Sequence, residues 1–284
     1  MVVTAILFIC SALFYQGVGT MKHIASRDNH IIKDSLKLKQ KKYRLLQGCF
    51  LVEGKKSLEE AFSSGHEVVR VFVSEELSPD ISWPVTQCQT TQWFTVPAKI
   101  IHLLSDTANP QGVVAVVKAP EWDWHCVLES AEIVLLLDQM ADPGNLGTII
   151  RTAWAFDVTA ILLTEGSADP FNPKVVRSTM GGILHVPIFP EISEGQLLTL
   201  REAGFTFYAA RPDTENDLFS TRFSRRTVLV IGNEARGISP RIQKLCDVSF
   251  SIPINPGVDS LNAAVACAII TVEASRQRSR GFLS

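Results

Sequence analysis

Ser260 and Asn262 stand where an apolar strand end at Ile252 and a Pro and Gly turn at Asn255 to Gly257 give way to a long alanine-rich run ending near Arg278. Short polar side chains at a helix start act as caps, and the backbone N–H groups there are unpaired and face outward. The residue types leave two uses open: a cap, for which Ser260 is placed, or a polar site. Two upstream stretches are built the same way. Asp138 to Phe156 carries Asn145 and Arg151 behind the apolar run Ile133 to Leu137, and Leu229 to Ser239 carries Gly232, Asn233, Glu234 and Gly237. Each reads as a strand, a glycine-bearing turn and a helix. A planar arginine fork suits phosphate and developing negative charge better than lysine does, and with a pKa above about 12 it makes a poor base.

Those turns need a frame, and the apolar runs supply it. Ile133 to Leu137, Ala160 to Thr164, Val186 to Phe189, Phe205 to Ala210, Thr227 to Ile231 and Val248 to Pro253 read as strands separated by helices. Continuous apolar strands in that alternation predict a mainly parallel sheet covered on both faces. No G-x-G-x-x-G follows the first strand and no phosphate loop is present, which disfavours a nicotinamide oxidoreductase. Upstream, Ser26 to Leu46 predicts a basic helix carrying Lys33, Lys37, Lys39, Lys41, Lys42 and Arg44 around Asp34. It is a solvated face or a contact to RNA phosphate. Strands near Cys49 to Val52, Val68 to Val73, Gln92 to Val96 and Gly112 to Val117, with helices at Lys55 to Ser64 and Pro97 to Leu104, make a second α/β layer unit. Ala119 to Ser130 has little apolar periodicity and reads as a linker, with Trp122 and Trp124 packed against the domains or open to stacking on RNA. The division expected is therefore an apolar leader over 1–20, a first domain over 21–118, a linker over 119–130 and a second domain over 131–284.

Composition sets the outer bounds. With 284 residues, 46% hydrophobic and 20% charged, the chain is globular and long enough for two cores. A net charge of −2 leaves RNA contact to local basic patches. Cys10, Cys49, Cys88, Cys126, Cys246 and Cys267 are scattered and form no C-x-x-C pair, so they read as reduced cysteines in a cytoplasmic protein. His23, His30, His66, His102, His125 and His185 form no metal-ligand pattern and read as surface or core. Residues 1–20 carry no charge and fall short of a membrane span. Met21 reads as the true start, the alternative being an N-terminal anchor.

Taken together and in order, the three turns resemble the three motifs of the SpoU family, S-adenosylmethionine-dependent RNA 2′-O-ribose methyltransferases of the SPOUT superfamily. The match rests on Asn145 and Arg151, on Gly232, Asn233, Glu234 and Gly237, and on Ser260, Leu261 and Asn262. The resemblance implies an α/β trefoil-knotted domain, a homodimer with sites drawing on both subunits, and no metal. It implies catalytic roles for Arg151, Asn145, Glu234, Ser260 and Asn262, with Arg151 holding phosphate and stabilising alkoxide charge. For S-adenosyl-L-methionine it implies Ala209, Ala210, Ile231, Gly232, Asn233, Ile252 and Leu261, with Gly232 allowing close approach of an adenosine. Phe171 to Gly182 is similar to a substrate-facing family stretch, which adds Lys174 and Arg177 to Lys33, Lys37, Lys41 and Lys42 as RNA contacts. The first domain, through Phe50 to Gly54 and Asn109 to Ala115, resembles a substrate-binding domain shared with certain ribosomal proteins. That points to ribosomal RNA, over the alternatives of transfer RNA or of a silent RNA-binding protein. Ala235 departs from the glycine of many relatives.

Overall fold

The computed structural model describes residues 21–77 and 90–279, so the leader 1–20, Cys10 and Cys88 lie outside the described residues. Two compact units divide after Pro120. In the first, β1 (Lys22–His23), β2 (Cys49–Glu53), β3 (Val68–Ser74), β4 (Gln92–Val96) and β5 (Val113–Lys118) form a mixed sheet in the order β1-β4-β3-β5-β2. The parallel pairs are β1 with β4 and β3 with β4, and β5 runs antiparallel to both β3 and β2. Ile32, Leu38, Phe72, Phe94, Ile100, Leu104 and Val114 are buried in its core.

The basic stretch at its start departs from expectation. It is two helices, α1 (His30–Lys37) and α2 (Lys41–Gln47). The break has a physical cause: Leu38 is fully buried, Gln40 is extended, and the Arg44 guanidinium donates to the Leu38 carbonyl at 2.8 Å. Arg44 is itself buried and so serves the fold. The remaining helices of this unit, α3 (Lys55–Ser63) and α4 (Ala98–Leu104), fall where the sequence puts them.

Residues 119–130, expected as a linker, contain α5 (Trp124–Ser130). The Asp123 carboxylate accepts the His125 N–H at 2.9 Å as its N-cap. Val127, with Trp124 and Leu128 beside it, joins the core of the second unit, and Trp124 meets Phe189 edge to face at 5.3 Å. Packing supplies the stability that periodicity did not advertise.

That unit has β6 (Ile133–Leu137), α6 (Pro143–Ala155), β7 (Ala160–Leu163), α7 (Pro173–Thr179), a 3-10 turn (Gly182–Leu184), β8 (Ile188–Phe189), α8 (Glu194–Glu202), β9 (Thr206–Ala210), β10 (Thr227–Ile231), α9 (Pro240–Gln243), β11 (Val248–Phe250) and α10 (Ala263–Ser279). Its six strands are all parallel, in the order β11-β9-β10-β6-β7-β8. Every residue of β6 and β10 is buried, as a sheet covered on both faces requires. On one face Val134, Leu136, Phe207 and Val230 pack with Leu197, Leu200 and Ile242. On the other, α10 packs against both α6 and β10. Helix α10 is anchored by polar groups as well: buried Gln277 accepts from the Phe223 N–H at 3.1 Å and donates to the Thr221 carbonyl at 2.9 Å. From edge strand β11 the chain therefore crosses the carboxyl ends of β9 and β10 to start α10 beside α6.

Candidate active site

Asn262, rather than Ser260, caps α10. Its Oδ1 accepts the N–H groups of Ala264 and Val265 at 3.0 and 3.2 Å. With the oxygen so occupied, the amide nitrogen faces away from the helix, donating to Asn145 Oδ1 at 3.0 Å and to Glu234 Oε1 at 3.3 Å. Asn145 in turn donates through Nδ2 to the same Glu234 oxygen. Each amide's orientation is thus set by the one before it, starting from the helix end. Three turns separated by 117 and 89 residues meet in one polar cluster.

The supporting elements explain the placement. Asn145 does not cap α6. Asp142 does, accepting the Asn145 N–H at 2.8 Å with Pro143 in the first turn, which leaves the Asn145 side chain for the cluster. The second turn is closed by a pair of bonds between Asn233 and Gly237 at 3.0 and 2.8 Å. Asn233 Oδ1 accepts from Ala235 and Arg236, and its Nδ2 donates to the Gln139 carbonyl at 2.9 Å. Ala235 is not among the left-handed non-glycine positions, which are Gln139, Asp157, Met180 and Glu191 among the described residues, so alanine fits there.

Beside the cluster lies a cleft of about 340 Å³, in the range of small-molecule sites. Ala210, Ile231, Gly232, Asn233, Ile252 and Leu261 line it, together with Glu234 and Ser260. Ala209 does not line it: one residue earlier on β9 it points into the core and is fully buried. Gly232 answers to a further constraint. A Cβ there would lie 2.3 Å from the Gly237 carbonyl carbon and 2.4 Å from the Ile238 nitrogen, so glycine lets the turn fold back on itself.

The profile of the SpoU rRNA Methylase family matches residues 132–272, and that of an MRM3-like substrate binding domain matches residues 29–115. The 23S rRNA (guanosine(2553)-2′-O)-methyltransferase RlmP of Bacillus subtilis is 33% identical over 88% of this chain and 98% of its own length. The chain belongs to the SpoU family. A 23S rRNA (uridine(2479)-2′-O)-methyltransferase of Streptomyces viridochromogenes is 31% identical over 92% of this chain and 94% of that protein. Among solved structures, an AdoMet-bound rRNA methyltransferase from Sinorhizobium meliloti matches with a TM-score of 0.82 at 31% identity, covering 91% of this chain and 99% of that one.

In this SpoU chain the other residues selected from the sequence do not all join the cluster. Arg151 is exposed on α6 and makes no hydrogen bond or ion pair with the described residues. Six positions beyond Asn145, it lies about 9 Å along the axis and roughly 120° around it. One chain therefore does not bring it into the cluster. Ser260 is exposed at the cleft. Lys174 and Arg177 share an exposed face of α7. Lys33 and Lys37 hold exposed ion pairs with Asp28 and Asp34 at 2.9 and 2.8 Å, and Lys42 lies 5.9 Å from the Tyr43 ring centre. Those contacts pull the Asp28 and Asp34 carboxyls below their usual range.

Asp138 escaped the sequence reading. Only 2% exposed, it accepts the Thr164 hydroxyl at 2.8 Å and the Ser239 N–H at 2.6 Å, tying the first turn to the second. A lone acid at the end of an apolar strand was the available signal. Cys49, Cys126, Cys246 and Cys267 are free thiols, and burial pushes Cys246 and Cys267 up to about 12, where they stay protonated and inert. No group of metal ligands occurs among the described residues, and none of their helices is long and apolar enough to cross a membrane.

Proposed function

We propose that this chain methylates the 2′-hydroxyl of a ribose in ribosomal RNA, using S-adenosyl-L-methionine. The observation that carries the reading is the Asn262–Asn145–Glu234 cluster at the mouth of the cleft. Family membership supplies the reaction class, and relatives that methylate 23S rRNA, aligned over nearly their whole length, favour ribosomal over transfer RNA. The cleft fits the cofactor. Ile231, Ile252, Leu261, Ala263 and Ala266 offer apolar walls for an adenine ring, and backbone groups of Gly232 to Gly237 offer polar edges.

When bound, the cofactor supplies an activated methyl group on a sulfonium sulfur. The protein's part is alignment and charge. A bond forms from ribose O2′ to the methyl carbon as the carbon–sulfur bond breaks, and the hydroxyl proton must leave. Asn145, Glu234 and Asn262 form a preorganised polar wall that holds the ribose in line. Arg151 grips the adjacent phosphate and stabilises negative charge developing on O2′, with proton removal helped by the RNA itself. Because Arg151 stands apart from the cluster of its own chain, the working site is assembled in a homodimer, each copy lending its arginine to the other. The exposed Val265 and Val272 on α10 and Trp154 on α6 suit that contact. The trefoil threading of the family belongs to the same proposal, as do a cytoplasmic location and RNA contacts from Lys33, Lys37, Lys41, Lys42, Lys174 and Arg177.

Incubation with methyl-labelled cofactor and ribosomal RNA, followed by digestion to nucleosides, tests the reading. Label is expected in one 2′-O-methylnucleoside. Label on a base, or label in transfer RNA alone, would overturn it.

A further inference from the structure

The first unit has a cavity of its own. At the carboxyl end of β3 a cavity of about 280 Å³ is lined by Ser74, Leu77, Ala98, Ile101, His102 and Gln111, among others. Strands β3 and β4 are parallel here, with Ser74 paired to Val96, and ligands of α/β sheets bind outside such strand ends. Ser74 is 3% exposed. Its N–H donates to the Gly112 carbonyl at 2.8 Å and its carbonyl accepts the Leu77 N–H at 3.0 Å, yet its Oγ has no hydrogen-bond partner among the described residues. Buried hydroxyls are paired as a rule, so this one calls for a partner from outside.

The shape of the cavity is enforced. Gly112 is left-handed (φ +78°), and a Cβ there would meet Leu77 Cδ1 at 2.1 Å. Leu77, Ala98, Ile101 and Pro110 give apolar walls that suit the faces of a flat ring. Ser74 at the back, with Glu76 and Gln111 beside it, gives both donors and acceptors for the ring's edge. Gln111 Oε1 sits 2.6 Å from where a Gly54 Cβ would be, so glycine at the start of α3 leaves room for the Gln111 amide. An apolar slot with a polar back fits the faces and the hydrogen-bonding edge of a nucleobase.

Resting on the RNA reading above, we infer that this cavity takes one unstacked nucleobase of the substrate RNA, read by Ser74, Glu76 and Gln111. The first unit then recognises a feature of the RNA distinct from the methylated ribose.

The test uses the full chain and a large-subunit ribosomal RNA transcript, with affinity measured by filter retention. Ser74→Ala and Gln111→Ala are each expected to weaken RNA binding about tenfold, with melting temperature and cofactor affinity unchanged. If Ser74→Ala binds RNA like the parent and is merely as stable or more so, the hydroxyl is only an unsatisfied group and the inference falls. Should Ser74→Ala lose its fold, exposed Gln111→Ala decides alone. A parent that binds the transcript through Ser74 but transfers no methyl overturns the proposed activity and leaves this site standing. A parent that does not bind the transcript overturns both.

Discussion

Asp138 reaches across 101 residues to accept the backbone N–H of Ser239 at 2.6 Å, so one buried carboxylate fixes the height of the loop that carries Glu234. Its other oxygen takes the Thr164 hydroxyl, which in turn accepts the Gln139 N–H at 2.9 Å. Asp138→Ala leaves the Ser239 donor without its acceptor, at a cost of about 2 kcal/mol. We expect a melting temperature lower by roughly 4–8 °C and weaker cofactor binding by calorimetry. Asp138→Asn, whose amide oxygen still faces Ser239, should recover most of both. Equal loss in the two variants would show that the Ser239 contact is unimportant.

Arg151 gives the opposite balance. It is exposed and unbonded among the described residues, so replacing it has little to disturb in the fold. Arg151→Lys keeps the charge but loses the two-pronged grip on phosphate, and kcat should fall about 100-fold. Cofactor affinity and melting temperature should stay within error. A lysine variant that turns over normally would remove Arg151 from the catalytic group.

Asn262 separates its two tasks by substitution. Asn262→Asp keeps an excellent cap for α10, and a carboxylate at a helix start is favourable. It also loses the donor to Asn145 and sets a second negative charge beside Glu234, where the structure has an N–H at 3.3 Å. Stability near the parent's, with activity down at least about tenfold, is the expected pairing. Asn262→Ala should lose activity and about 1 kcal/mol of stability as well. Activity preserved in the aspartate variant would reduce the cluster to a helix cap.

The sequence carried the parts of this site whose signals are local. Strands β6 and β10 end where the apolar runs end, because burial on both faces leaves no alternation to misread. The start of α6 was misplaced: Asp142 caps it before Pro143, so Asn145 lies inside the helix rather than ahead of it, although an acid before a proline was a local signal for that start. What stayed hidden was parity and distance. Ala209 and Ala210 are alike as letters, and only the pleat decides that the first faces the core. Asp138, Ser74 and Arg44 take their meaning from partners, or from a missing partner, that become visible when the chain is folded.

Gly232 and Gly237 look interchangeable in the second motif but answer to different physics. Gly237 is left-handed (φ +66°) with nothing within 4 Å of a would-be Cβ, so Gly237→Ala carries a backbone penalty of about 1 kcal/mol and no clash. Gly232 is not left-handed, yet a Cβ there would stand 2.3–2.5 Å from the backbone of Gly237 and Ile238, which have no flexible end to move aside. Gly232→Ala must therefore push the turn outward, away from the bonds that Asn233 makes to Gln139 and Gly237. That displacement shifts the cleft wall and Glu234 together. Calorimetry should show at least about tenfold weaker cofactor binding for Gly232→Ala, alongside a stability loss of about 1–3 kcal/mol. Gly237→Ala should bind within a few fold of the parent, and the reverse ranking would mean that backbone handedness, rather than the close passage of the two chain segments, shapes this wall of the cleft.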